Sequence, residues 1–115
     1  MTKNKTVLII EDDETIRELL QDFLALYGFD PYSADNCFSA LDLLEKTRFD
    51  IIITDYWMPG MDGLQLVRRI RPGHPQVFIV GISGNCSRND FLQAGANAFL
   101  PKPFRLQDLL SLLRC

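Results

Sequence analysis

The sequence predicts an α/β fold in which five short parallel strands alternate with five helices. Three observations lead there. Apolar runs are continuous rather than alternating, as in Val7-Leu8-Ile9-Ile10, Ile51-Ile52-Ile53 and Val77-Phe78-Ile79-Val80. Runs of that length, rich in β-branched residues, read as strands buried on both faces of a parallel sheet. Segments with helical period lie between them, and the prolines inside strand candidates fall only in the two weaker ones.

In chain order, Val7 to Ile10 forms the first strand. The first helix follows, with Ile16, Leu19, Leu20, Phe23, Leu24 and Tyr27 in one wide apolar stripe. Asp13 is placed to cap it and Gly28 to end it. A weaker second strand is expected over Phe29 to Ser33. Asn36 or Ser39 opens a second helix that runs to Lys46. The third strand starts at Ile51 and ends in Asp55. Asp62-Gly63 precedes a third helix carrying Leu64, Val67 and Ile70. The fourth strand begins at Val77 and ends in Ser83. Ser87 and Asp90 form an S-x-x-D capping box before a short fourth helix closed by Gly95. Ala98 to Pro101 reads as the fifth strand, and Leu106, Leu109, Leu110 and Leu113 mark the last helix.

Proline cannot donate to a sheet ladder and is confined to edges, strand starts and bulges. Pro31 and Pro101 therefore place strands two and five at the edges. With right-handed crossovers the strand order becomes 2-1-3-4-5, a doubly wound, flavodoxin-like sheet. Ligands then belong beyond the carboxyl ends of strands one and three, where the order reverses.

The 115 residues fit one domain spanning 1–115, with no output domain expected. A 47% hydrophobic and 23% charged composition is that of a globular chain. A net charge of −3 gives no basic footprint for nucleic acid or an anionic membrane surface. No apolar run approaches the ~18 residues of a membrane span. Cys37, Cys86 and Cys115 are odd in number and widely spaced, without a CxxC. That argues against a disulfide framework or zinc site and favours a cytoplasmic setting.

The strand ends carry the chemistry. Strand one runs into Glu11-Asp12-Asp13-Glu14, strand three ends in Asp55, strand four in Ser83, and strand five is followed by Lys102. In a parallel sheet all of these face one rim. Acids at a helix start commonly complement the helix dipole, and a lone aspartate commonly caps a turn. Their coincidence on one rim reads otherwise. Clustered carboxylates call for a cation, and oxygen ligands with room for water suit Mg²⁺. A carboxylate beside it can act as a nucleophile on phosphorus, with lysine and a hydroxyl offsetting the charge.

Three blocks carry a resemblance. Asp55-Tyr56-Trp57-Met58-Pro59-Gly60-Met61-Asp62-Gly63 resembles the signature D-x-x-M-P-x-M-D-G of response regulator receiver domains in two-component signalling. Val7 to Arg17, VLIIEDDETIR, is similar to the family's first strand and acidic pair. Phe99 to Phe104, FLPKPF, resembles its K-P-F segment. The resemblance covers the chain in order. It implies that Asp55 is the phosphoacceptor, taking a phosphoryl group from a histidine kinase or phosphotransfer protein. It implies an Mg²⁺ site of Glu11, Asp12, Asp55 and the backbone carbonyl of Trp57. Ser83 and Lys102 would contact the phosphoryl group, Gly84 would leave it room, and Phe99 is the aromatic switch position. Asp13 matches a variable position and stays outside the site. A cis Lys102–Pro103 bond is implied as well. So is a downstream target docking on the helix 4–strand 5–helix 5 face, while phosphorylation-dependent dimerisation is left open by the sequence.

The chain departs from the family at several places. Lys102 follows Ser83 by 19 positions, roughly one helical turn fewer than usual, so the fourth helix should be about two turns long. Trp57 and Asn85 occupy positions that tune the lifetime of the phosphorylated state; a large apolar Trp57 acting as a partial lid predicts slow loss of phosphate. Phe99 lacks the hydroxyl of the commoner tyrosine. His74 and the run Arg68, Arg69 and Arg71 read as a turn and a solvated helix face. Two other functions compete. An Mg²⁺-dependent phosphotransferase or phosphatase of the haloacid-dehalogenase type would need D-x-D-x-[TV] after the first strand, whereas Asp55 follows the third and Trp57 stands at the second acid. A flavin mononucleotide carrier would need a neutral phosphate loop after strand one, where this chain has four acids.

Overall fold

The computed structural model describes residues 4–85 and 88–114. Five strands and five helices alternate: β1 Thr6–Ile10, α1 Glu14–Leu26, β2 Asp30–Ala34, α2 Cys37–Lys46, β3 Ile51–Asp55, α3 Gly63–Ile70, β4 Phe78–Ser83, α4 Arg88–Ala94, β5 Ala98–Pro101 and α5 Leu106–Arg114. The sheet is parallel throughout, in the order β2-β1-β3-β4-β5. Pro31 and Pro101 sit on its edge strands, where a missing N–H costs no central ladder bond.

Side-chain alternation explains the continuous apolar runs. Val7 and Ile9 of β1 and Ile51 and Ile53 of β3 face one core, shared with Leu20 and Leu24 of α1 and Leu109 and Leu113 of α5. Leu8, Ile10 and Ile52 face the other, with Ala40, Leu66, Val67, Ile70 and Phe91 from α2, α3 and α4. Both faces of the central strands are covered, so no position there is free to be polar without a reason. That makes buried Thr54 and Asp55, at the end of β3, informative.

Local chemistry sets the element ends. Asp13 Oδ1 accepts the Ile16 N–H at 3.1 Å to start α1. Asn36, not Ser39, caps α2, its Oδ1 accepting the Ser39 N–H at 2.8 Å. Asp62 and Gln65 form a reciprocal capping box at α3. The fourth helix has seven residues, matching the two turns expected from the shortened spacing. The expected Ser87–Asp90 box cannot be placed, because Ser87, like Cys86 and Cys115, lies outside the described residues.

Several boundaries differ from expectation. β2 covers Asp30–Ala34 rather than Phe29–Ser33, and β4 starts at Phe78, one residue after buried Val77. The α1 stripe is wider than the surface beneath it. Leu20 and Leu24 are buried, while Leu19 is 52% and Ile16 37% exposed. Arg71 is no part of a solvated face. Its guanidinium donates to the carbonyls of Gly95, His74, Pro75 and Val77 and to Asn97 Oδ1. Asn97 Oδ1 also takes the Ile79 N–H, so one arginine ties the α3–β4 turn to the α4–β5 turn. Arg68 and Arg69 are exposed as expected.

Candidate functional site

The parallel sheet delivers Glu11, Asp55, Ser83 and Lys102 to one rim because each lies at, or one residue past, a strand's carboxyl end. Register keeps them level: Ile10 pairs with Thr54, Asp55 with Ile82, and Ser83 with Pro101. Carboxylate oxygens of Glu11, Asp12 and Asp55 lie within 4.8 Å of one another. Lys102 Nζ stands 3.0 Å from Asp55 Oδ1. Glu11, Asp55 and Ser83 are buried, whereas Asp12 is exposed.

Each member is held by its surroundings. The Asp13 N–H donates to Glu11 Oε2 at 3.2 Å, and Arg17 Nη1 donates to the Glu11 carbonyl at 2.9 Å. Asp13 spends its own carboxylate on the α1 cap and stays out of the cluster. The Lys102 N–H donates to the Ser83 carbonyl at 3.1 Å, and the Lys102–Pro103 peptide is cis, as the K-P-F segment implied. Ser83 Oγ accepts the Asn85 N–H at 3.0 Å.

The other expected residues surround this cluster. Gly84 is exposed, and a Cβ there would make only ordinary contact, 3.6 Å from Lys102 Cβ, so packing does not require the glycine. Asn85 is exposed beside it. Trp57 keeps 69% of its surface in solvent, so any cover its indole gives the rim is not held by packing. Phe99 is buried below the rim, paired in register with Gly81, its ring 5.8 Å from Phe91 and 5.9 Å from the Arg88 guanidinium carbon. Thr54 and Gly63, which touch the Asp55 backbone, were not singled out for the site. The visible signal was a lone threonine closing an isoleucine run.

The electrostatics ask for a cation. Burial, a hydrogen bond with Asp12 and the charge of Asp55 push the Glu11 carboxyl up to about 7, against the Asp13 N–H and Lys102, which pull it down. Three crowded carboxylates, one reluctant to ionise, are the hard oxygen donors that a small divalent ion takes. A pH effect follows. Folded Glu11 holds its proton up to about 7, against an ordinary value of 4.5. In metal-free protein its contribution to stability is full below pH 4.5 and is lost as pH rises through about 7. A Mg²⁺ ion held by the cluster would compete with that proton, so its apparent affinity should increase as pH climbs through the same range. Titrating the fluorescence of Trp57, the single tryptophan, with Mg²⁺ at several pH values checks this; an affinity independent of pH contradicts it.

A cavity of about 540 Å³ lies at the opposite end of the strands, between Arg48, Asp50, His74 and Gln76.

The chain is similar to known proteins in sequence and in fold. The response regulator receiver domain model matches residues 7–114. The chain is 34% identical over 111 residues to the response regulator MprA of Mycobacterium sp. (strain KMS), covering 94% of this chain and 48% of that protein. It is 40% identical over 106 residues to protein PetR of Rhodobacter capsulatus, covering 90% and 45%. It thus spans about half the length of the curated relatives it matches. The solved structure of the chemotaxis protein CheY4 of Vibrio cholerae superposes with a TM-score of 0.90 at 29% identity, covering 96% of this chain and 97% of that one. Sheet order, acidic rim and a match over nearly every residue agree: the chain belongs to the response regulator receiver domains of two-component signalling.

Proposed function

We propose that the chain is a phosphoacceptor switch whose Asp55 takes a phosphoryl group from a histidine kinase or phosphotransfer protein. The observation that carries this is the rim itself: three carboxylates within 4.8 Å, with a lysine ammonium 3.0 Å from Asp55. An Asp55 carboxylate oxygen attacks phosphorus and forms the acyl phosphate. The phosphorus–nitrogen bond of the donor phosphohistidine breaks, and its electron pair leaves with the imidazole, which keeps or takes up a proton. Glu11, Asp12, Asp55 and the Trp57 carbonyl are the groups that would hold Mg²⁺, which supplies positive charge to the transferring oxygens. Lys102 gives up its contact with the Asp55 carboxylate to meet a phosphoryl oxygen, and the Ser83 hydroxyl donates to another. Gly84 leaves room for the donor, and Trp57 and Asn85 at the mouth govern how readily water reaches the product.

The switch then reads out through Phe99, which packs on α4 through Phe91, and so through the α4–β5–α5 face, where a downstream protein or a second copy docks. The domain assists its own phosphorylation and dephosphorylation and turns over no small-molecule pool. Among the described residues no helix is long and apolar enough to cross a membrane, and we place the domain in the cytoplasm with its kinase. The test is labelling with phosphoramidate, read by intact mass. Wild type with Mg²⁺ should gain one phosphoryl group, while wild type with chelator and Asp55→Asn should gain none. Labelling of Asp55→Asn equal to wild type overturns the proposal.

A further inference from the structure

Asp55 presents its carboxylate from the end of a strand, where ladder bonds stop and the main chain is least constrained. The last bond across to β4 is the Tyr56 N–H to the Ile82 carbonyl, 2.9 Å. Beyond it two residues outside the carboxylate cluster hold this peptide. Thr54 is completely buried, and its hydroxyl donates to the Asp55 carbonyl at 3.0 Å. Gly63, the first residue of α3, donates its N–H to the Tyr56 carbonyl at 2.9 Å. It also presses its bare Cα against Asp55: a Cβ at this position would overlap the Asp55 carbonyl oxygen and come within 3.1 Å of its carbonyl carbon. The capping box of Asp62 and Gln65 fixes the helix start that brings Gly63 there.

Packing alone does not call for this hydroxyl. Three isoleucines precede Thr54 in the same strand, and valine has nearly its shape without a polar atom to bury. We infer that Thr54 and Gly63 are positioning residues for phosphoryl transfer, holding the main chain from which the Asp55 carboxylate and the Trp57 carbonyl reach one metal ion. The inference rests on the phosphoacceptor reading of Asp55. Neither residue touches the reacting atoms; each acts through the Asp55–Tyr56 backbone. A displacement of an ångström at such a nucleophile costs up to about a hundredfold in rate, so loss of one of two restraints should cost about tenfold.

The test compares Thr54→Val, Thr54→Ser and Gly63→Ala, well below the thermal midpoint of each. It measures the phosphorylation rate at saturating phosphoramidate and Mg²⁺, and Mg²⁺ affinity by Trp57 fluorescence. Thr54→Val should be phosphorylated about tenfold more slowly and bind Mg²⁺ more weakly, and Thr54→Ser should restore both to within about twofold. Gly63→Ala should lose more than Thr54→Val in both readouts; should it fail to fold, the threonine pair decides. Wild-type rate and affinity in Thr54→Val, or a serine variant as impaired as the valine one, overturns the inference. If wild type itself takes no phosphoryl group, the phosphoacceptor reading falls. The positioning claim is then judged on Mg²⁺ affinity alone, and an unchanged Thr54→Val overturns it.

Discussion

Phe91→Ala should destabilise the fold by about 3–5 kcal/mol. The ring is completely buried, and with Ala94 it is the buried face of the seven-residue helix α4. It lies on Gly81 of β4, where a Cβ would overlap its edge atoms. It meets Tyr56 edge-on at 6.5 Å and Phe99 at 5.8 Å. No neighbouring backbone can move in to fill the space, because Gly81 belongs to a central strand paired on both sides. The cavity term therefore adds to the transfer term. Urea unfolding of the variant measures the loss. A change below about 1 kcal/mol, the level of an ordinary substitution, would show that α4 is anchored elsewhere. The same ring packs against Phe99, the residue through which we propose that the rim reaches a docking face.

Asp12→Ala should lower the Mg²⁺-dependent phosphorylation rate on the order of a hundredfold, as loss of a direct charge-stabilising group does, while leaving the fold intact. Asp12 is exposed and belongs to neither core. Its carboxylate supplies one corner of the acidic cluster and helps to hold Glu11 protonated. Removing it takes away a proposed metal ligand and relieves like-charge crowding together. The metal-free variant should then melt no earlier than wild type, and its thermal midpoint should cease to respond to Mg²⁺. A structural role for Asp12 predicts the opposite pair of results, an earlier melt and a retained Mg²⁺ response. Calorimetric scans with and without Mg²⁺ separate the two.

The sheet was legible because its central strands are buried twice over, which leaves long apolar runs and pushes both strand prolines to the edges. The rim was legible for a related reason. A parallel sheet gathers its carboxyl ends, so acids at the ends of β1 and β3 could be placed together before any distance was known. Other features depend on contacts distant in the chain. Nothing near Arg71 announces that its guanidinium reaches Gly95 and Asn97, so it read as one of three solvated arginines. The α1 stripe shows which residues are apolar but not how much sheet lies beneath, so Ile16 and Leu19 were expected to be covered and are not. Thr54 and Gly63 escaped for a third reason. Their contacts are with main chain, and main-chain contacts leave little mark on residue type beyond a hydroxyl in an apolar run and an absent side chain at a helix start.

On the proposed function, Glu11, Asp12, Asp55, Ser83 and Lys102 together form one metal-assisted phosphoryl site. A crystal structure grown with Mg²⁺ and beryllofluoride, a stable stand-in for the phosphoryl group, tests it most directly. Beryllofluoride is expected on an Asp55 carboxylate oxygen, within hydrogen-bonding reach of Lys102 Nζ and Ser83 Oγ. One Mg²⁺ is expected among the Asp12 and Asp55 carboxylates and the Trp57 carbonyl, with Glu11 beside it. Beryllofluoride on another carboxylate, or Mg²⁺ bound away from the carboxyl ends of β1 and β3, would contradict it.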